Sequence, residues 1–186
     1  MSAPGGRPDP ARDDTALFET AIGVCAISWR ATAVIGFRLP EPDPTAARER
    51  LHRAGVAESE PTDLIRAAID GVRAHLAGEL DDLRWIPLDL NGVPDFHRTV
   101  YEITRTIDPG HTLSYGQVAE RAGLPGAAQA VGQALGRNPI ALIIPCHRVL
   151  AADHALHGFS APGGIGTKAR LLEIERTPGF GEPMLF

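Results

Sequence analysis

Apolar and small residues alternate over residues 17–39, with β-branched Ile22, Val24, Ile27, Val34 and Ile35 setting the rhythm. A period of two is that of a half-buried strand, so the stretch predicts a hairpin breaking near Arg30-Ala31. Pro42 and Pro44 end it, and the charged residues 46–54 read as a short surface helix. Over residues 62–80 the apolar positions are Leu64, Ile65, Ala68, Ile69, Val72 and Leu76. Their three- and four-residue spacing predicts a helix with one buried face, capped by Thr62 or Asp63. Residues 85–90 return to a strand-like run, and Asn91-Gly92-Val93-Pro94 has the turn chemistry of a linker.

Beyond the linker the pattern turns helical. Phe96, Val100, Tyr101, Ile103 and Ile107 share one side of a helix over 96–107, which Asp108-Pro109-Gly110 stops. Ser114 caps a short helix over 115–122, residues 123–126 form a turn, and a second helix runs over 127–135 to Gly136. Two short helices across a glycine-containing turn make a helix-turn-helix pattern, which is more often a packing unit than a DNA reader. The second helix carries Ala127, Ala128, Ala130, Gly132 and Ala134, side chains small enough for close approach to another helix or to a narrow groove. Residues 140–144 form an apolar run of buried-strand type that Pro145 interrupts, and a last helix covers 167–175. The expected fold is therefore an α/β N-terminal domain over 15–91 followed by a mostly α-helical C-terminal domain over 92–186. Residues 1–14, rich in Pro, Gly and Asp, read as a disordered tail.

Composition narrows the function. The 186 residues are 44% hydrophobic, ordinary for a globular chain, and no apolar run is long enough to span a membrane. The N-terminus has no basic-then-apolar signal pattern, which points to the cytoplasm. A net charge of −5 speaks against nucleic acid at first sight. From Pro94 onward, however, eight basic residues balance eight acidic ones, so the deficit belongs to the first half.

Two cysteines remain, Cys25 and Cys146, and a disulfide between them does not suit a reducing compartment. Neither Cys-x-x-Cys nor His-x-x-x-His spacing occurs, so no metal is expected. Cys25 lies in an apolar strand and reads as inert core. Cys146 lies where regular structure ends, with His147 directly after it. A thiol is mostly protonated at neutral pH, so a nucleophilic cysteine needs a base or a positive field. His147 can take the proton, directly or through a water, and the thiolate is then expected to be populated below its free pKa. An acid to orient His147 can come from Glu173 or Glu175 in the last helix. The remaining histidines, His52, His75, His97, His111, His154 and His157, have no partners by spacing and read as surface residues. Arg137 and Arg148 read equally as phosphate contacts or solvated charges.

The run Asn138-Pro139-Ile140-Ala141-Leu142-Ile143-Ile144-Pro145-Cys146-His147-Arg148-Val149 resembles the active-site signature of the O6-alkylguanine-DNA alkyltransferases. The similarity extends to Phe96-His97, to Ser114-Tyr115-Gly116-Gln117-Val118-Ala119 and to Ala130-Val131-Gly132 upstream. Downstream it includes Gly158-Phe159-Ser160 and Lys168-Ala169-Arg170-Leu171-Leu172. The resemblance implies a single-turnover DNA repair methyltransferase that moves the alkyl group of O6-alkylguanine onto Cys146. It further implies His147 as base through a water, Glu175 as the orienting acid and Asn138 as the brace of the turn. Tyr115 would press on the target phosphate, and Phe159, Ser160 and the main chain at Val149 would receive the base. Arg148 is a candidate phosphate contact. Gln129 stands where the family usually places an arginine that fills the gap left by the flipped base. Ala141 stands where some members carry a proline, Phe159 where tyrosine is frequent, and residues 161–164 are about two residues longer than in several members. The implied partner is double-stranded DNA with an alkylated guanine; no cofactor, metal, membrane or obligate protein partner is called for. Two rivals follow from the same residues: a non-catalytic module that only binds lesions, and an alkyl acceptor for small molecules.

Overall fold

The computed structural model describes residues 13–43, 45–54, 56–156 and 158–181. Three antiparallel strands come first: β1 (Asp13–Thr20), β2 (Gly23–Arg30) and β3 (Ala33–Arg38), in the order β1-β2-β3. β1 begins two residues inside the segment expected to be tail; residues 1–12 lie outside the described residues. The expected single hairpin is two. The second turn falls at Ala31, whose φ of 52° is left-handed, close to the anticipated break. The first falls ahead of Gly23, whose φ of 126° suits glycine, and the apolar alternation runs through it unbroken.

Helix α1 (Ala46–Arg53) and helix α2 (Asp63–Leu76) follow, the latter capped by Thr62, whose hydroxyl accepts from the Ile65 N–H at 3.4 Å. Residues 85–90 are not the expected strand. Pro87 has no N–H to give, and the segment makes one parallel bridge to β3, with Val34 donating to the Pro87 carbonyl and Asp89 donating back to Val34.

The second half holds α3 (Asp95–Arg105), α4 (Tyr115–Arg121), α5 (Ala128–Gly136) and α6 (Gly164–Ile174). Two-residue strands β4 (Leu113–Ser114) and β5 (Val149–Leu150) pair in parallel and bring the start of α4 beside the end of the Cys146 turn. Ser114 and Gln117 form a reciprocal capping box that fixes where Tyr115 enters the helix. α4 packs on α5 and both pack on α3. α6 starts three residues earlier than its sequence pattern suggests, and Glu175 is its C-terminal cap.

Residues 140–144 are buried as expected but are not a strand. The chain folds back on itself: Ile144 donates to the Ile140 carbonyl at 2.9 Å, and Leu142 sits at a φ of 69°. Apolarity marks burial there, not extension. One apolar core, from Ala16 through Trp29, Val72 and Tyr101 to Ile144 and Leu171, runs through both halves. The sheet meets the loop directly, Phe37 donating to the Pro139 carbonyl at 3.0 Å.

Candidate active site

Cys146 opens a single 3-10 turn, Cys146–Arg148, that leaves the folded-back loop. Asn138 clamps that loop from inside. Its Oδ1 accepts from the Ile140 N–H at 2.9 Å and its Nδ2 donates to the Ile144 carbonyl at 2.9 Å. Burial pushes the Cys146 thiol up, and only part of that is offset by Asn138, by the charge of Lys168 and by the Cys146 and His147 N–H groups. The expected resting thiolate is therefore corrected: the thiol is held neutral, and the proton must leave on demand.

The turn throws His147 and Arg148 inward, where both meet Glu175. His147 Nε2 lies 2.8 Å from Glu175 Oε1, and none of the three side chains is more than 1% exposed. Arg148 donates through Nε to Oε2 at 3.0 Å, through Nη2 to Oε1 at 2.8 Å, and through Nη1 to the Ile107 carbonyl at 2.5 Å. Arg148 is thus no phosphate contact. Its guanidinium is the buried counter-charge of Glu175, because a buried carboxylate must be paired.

A fourth group completes the cluster. His75, from the apolar face of α2, places Nε2 3.1 Å from the same Glu175 oxygen, and its Nδ1 accepts from the Asp81 N–H at 3.2 Å. The reading of His75 as a surface residue is overturned: it is 0% exposed. Its position three residues after Val72 and seven after Ala68, on the buried stripe of α2, is the signal that would have found it.

These contacts fix the proton inventory. Asp81 donates to Nδ1 of His75, so the proton of that ring is on Nε2, facing the carboxylate. Burial alone would raise the Glu175 pKa, but His147, His75 and Arg148 together pull it well below the usual carboxylate range. An ionised Glu175 puts the His147 proton on Nε2 as well, which leaves Nδ1 with a free lone pair. That Nδ1 is buried and has no hydrogen-bond partner among the described residues. Burial also lowers the His147 pKa, against the partial pull of Glu175, so the ring is neutral near pH 7 and able to act as a base.

Lys168, the first residue of the Lys168-Ala169-Arg170-Leu171-Leu172 run, is 1% exposed and donates to the Val149 carbonyl at 2.7 Å. Its ammonium lies 5.8 Å from the Tyr115 ring centroid. Burial lowers its pKa and the Cys146 charge opposes that, so it is the cation nearest in effect to the thiol. Val149 has its N–H bonded to the Cys146 carbonyl and its own carbonyl shared with Lys168. Cys25, in contrast, is 0% exposed, with burial pushing its thiol up to about 12.

Cys146 lines two cavities. One, of about 670 Å³, lies between α5 and the 158–160 loop and includes Tyr115, Gln129, Gly132, Phe159 and Ser160. Tyr115 is half-buried there, and burial raises its pKa and keeps its hydroxyl protonated, an effect that a thiolate at Cys146 adds to. Gln129 is exposed at the rim. The other cavity, of about 430 Å³, runs from Cys146 and Ala141 to the outer face of the sheet. Glu173 is exposed and outside the cluster, and Arg137 is exposed at the end of α5; His157 lies outside the described residues.

Residues 95–177 match the family described as 6-O-methylguanine DNA methyltransferase, DNA binding domain. The methylated-DNA–protein-cysteine methyltransferase of Mycobacterium tuberculosis strain H37Rv is 46% identical over 119 residues, which is 64% of this chain and 70% of that protein. The crystal structure of Mycobacterium tuberculosis O6-methylguanine methyltransferase superposes with a TM-score of 0.72 at 35% identity, covering 89% of this chain and 93% of that one. The chain belongs to the O6-methylguanine methyltransferase family. Its two halves both take part in the likeness to the family, since the structural match extends well beyond the DNA-binding region. A further structure of the Mycobacterium tuberculosis protein, in complex with DNA, superposes at a TM-score of 0.71 with 35% identity, covering 89% of this chain and 96% of the other. Among the described residues no helix is long and apolar enough to cross a membrane.

Proposed function

We propose that this chain repairs DNA by moving the alkyl group of O6-methylguanine irreversibly onto Cys146. The observation that carries the reading is the pairing of two facts: Cys146 lines a cavity open to the α5 face, and the buried Nδ1 of His147 has no hydrogen-bond partner among the described residues. The names of the relatives supply the substrate class.

In this reading the thiol proton passes to His147 Nδ1 through one water, while the Glu175 carboxylate holds Nε2 and stabilises the imidazolium that forms. Lys168 lowers the cost of the thiolate. The sulfur attacks the methyl carbon, a C–S bond forms and the C–O6 bond breaks. Its electron pair returns to guanine, where the Tyr115 hydroxyl supplies a hydrogen bond or proton. The thioether product cannot be reversed by a thiol, so each molecule acts once.

Guanine O6 is out of reach inside a stacked duplex, so the base must be extruded. The cavity beside α5 is the pocket that would receive it, with Phe159 and Ser160 as its wall and Val149 offering a remaining carbonyl lone pair. α4 and α5 would then serve as a helix-turn-helix, with the small Ala128 and Gly132 allowing the groove to come close. We place Gln129 in the gap behind the flipped base, and the division of the chain at 91/92, with the reacting side chains in the second half. The cytoplasm is the compartment this role requires.

The test is mass spectrometry after incubation with a duplex carrying one O6-methylguanine. The expected result is a gain of one methyl on Cys146, at no more than one per molecule, and none for Cys146→Ser. Label on Cys25, or repeated turnover, would overturn the reading.

A further inference from the structure

The second cavity at Cys146 has no part in that scheme. Its floor is the outward row of the sheet in which Thr15 pairs with Ser28 and Ser28 with Gly36. Short polar side chains and a glycine leave that row low, and the Thr15 and Ser28 hydroxyls lie 2.8 Å apart. Ala141, buried in the same lining, contributes only a methyl group. The result is about 430 Å³ of space that Cys146 and Ser160 share with the α5 cavity and that extends to the sheet.

Asp13, at one edge, is paired with Arg30, whose Nε donates to Asp13 Oδ1 at 2.8 Å and whose Nη1 also lies 3.6 Å from Asp89. The side chain of Arg38, also lining the cavity, makes no hydrogen bond or ion pair with any described residue. A pocket with a free guanidinium and two hydroxyls favours an anion, and a guanidinium fits a carboxylate through two parallel hydrogen bonds.

We infer that the cavity between Cys146 and the sheet is a subsite for the O6 substituent, and that Arg38 makes it select alkyl groups that end in a carboxylate. This rests on the proposed transfer chemistry and deepens it. The thiolate attacks the first carbon of the substituent, the C–O6 bond breaks toward guanine, and the rest of the chain lies over Gly36 toward Arg38. The product is a thioether of Cys146 bearing a carboxyalkyl group, and no further reactant is needed. The base remains in the α5 cavity, so the two chambers divide one substrate at the scissile bond.

Two duplex substrates separate charge from size: O6-(3-carboxypropyl)guanine and O6-(n-butyl)guanine, with O6-methylguanine as the reference. The wild-type chain should transfer the carboxypropyl group faster than butyl. Arg38→Glu should invert that order, with a loss on the order of fivefold for the carboxylate, the scale of a partly exposed charge pair. Gly36→Val should slow both longer groups; the backbone there is not left-handed, and an added Cβ meets Ser28 Cβ at 3.5 Å and the Pro139 carbonyl at 3.7 Å, both ordinary contacts. Methyl transfer should be unchanged in both variants, which also shows that they fold. Equal rates for the two long substrates, or a preference indifferent to Arg38→Glu, would overturn the subsite. Failure of the wild-type chain with O6-methylguanine itself would instead overturn the reaction on which it rests.

Discussion

His75 and Glu175, one hundred residues apart in sequence, meet in the core with Nε2 and Oε1 3.1 Å apart. The same oxygen also accepts from His147 at 2.8 Å. A side chain of the N-terminal half therefore holds the carboxylate that, in the proposed mechanism, orients the base. His75→Ala removes a buried donor, which costs about 1–3 kcal/mol of stability, and should slow methylation by roughly tenfold, as expected for loss of an indirect orienting contact. His75→Gln keeps a donor and should recover most of the rate. The comparison is single-turnover kinetics beside chemical unfolding. Equal rates in all three proteins would show that the contact serves stability alone.

Arg148 should matter for folding and not for DNA affinity. Arg148→Leu leaves the Glu175 charge buried without its cation, a loss on the order of 3–5 kcal/mol. Arg148→Lys keeps the charge but not the fork that reaches both carboxylate oxygens and the Ile107 carbonyl, so it should fall between. Urea unfolding measures the first effect. The salt dependence of DNA binding by the folded leucine variant measures the second, and a slope shallower by about 0.9, the amount for one lost phosphate contact, would return Arg148 to the phosphates.

Stability should fall on the acid side, in two stages. His147 is held below its ordinary value of 6.5 and Glu175 below its ordinary 4.5, so in each case the unfolded chain binds the proton more readily. Wherever the unfolded state holds more protons, stability rises with pH. It is therefore full above pH about 7, drops as pH passes below 6.5 because of His147, and drops further below 4.5 because of Glu175. Thermal melts at several pH values read this directly. His147→Gln should flatten the upper stage and leave the lower one; a wild-type Tm constant between pH 7.5 and 5 would contradict the buried neutral imidazole.

In the proposed complex with DNA, Gln129 sets how firmly the duplex is held. It is exposed at the rim of the α5 cavity, where a cation would lie near phosphates. Gln129→Arg should tighten Kd by about fivefold at low salt and steepen the salt slope by about 0.9, the amount for one additional phosphate contact. Fluorescence anisotropy at three salt concentrations decides it, and an unchanged slope would mean that position 129 does not face the duplex.

What the sequence disclosed was what depends on neighbours in the chain. The Ser114 cap, the cap offered by Thr62 or Asp63 and the Cys146-His147 pair are local, and each lies where its pattern put it, Thr62 being the cap. Residues 140–144 and 85–90 were misread as strands because apolarity reports burial, while the backbone path depended on the Asn138 clamp in one case and on Pro87 in the other. The first sheet turn was hidden because Ala21 and Ile22 continue the alternation across it. His75 and Arg148 were misassigned for a different reason. A charged or titratable residue is surface by default, and only a partner far along the chain, here Glu175, reverses that default.

The carboxylate of Glu175 is a knot that ties α2, the Cys146 turn and the end of α6. That sets how the N-terminal half can drift over generations. Its strands and loops are free to change composition, and to reshape the cavity over the sheet, so long as the core they cover is kept. Position 75 is the exception. Whatever replaces histidine there must still reach Glu175 with a donor, so one residue of the N-terminal half inherits the constraints of the reaction centre.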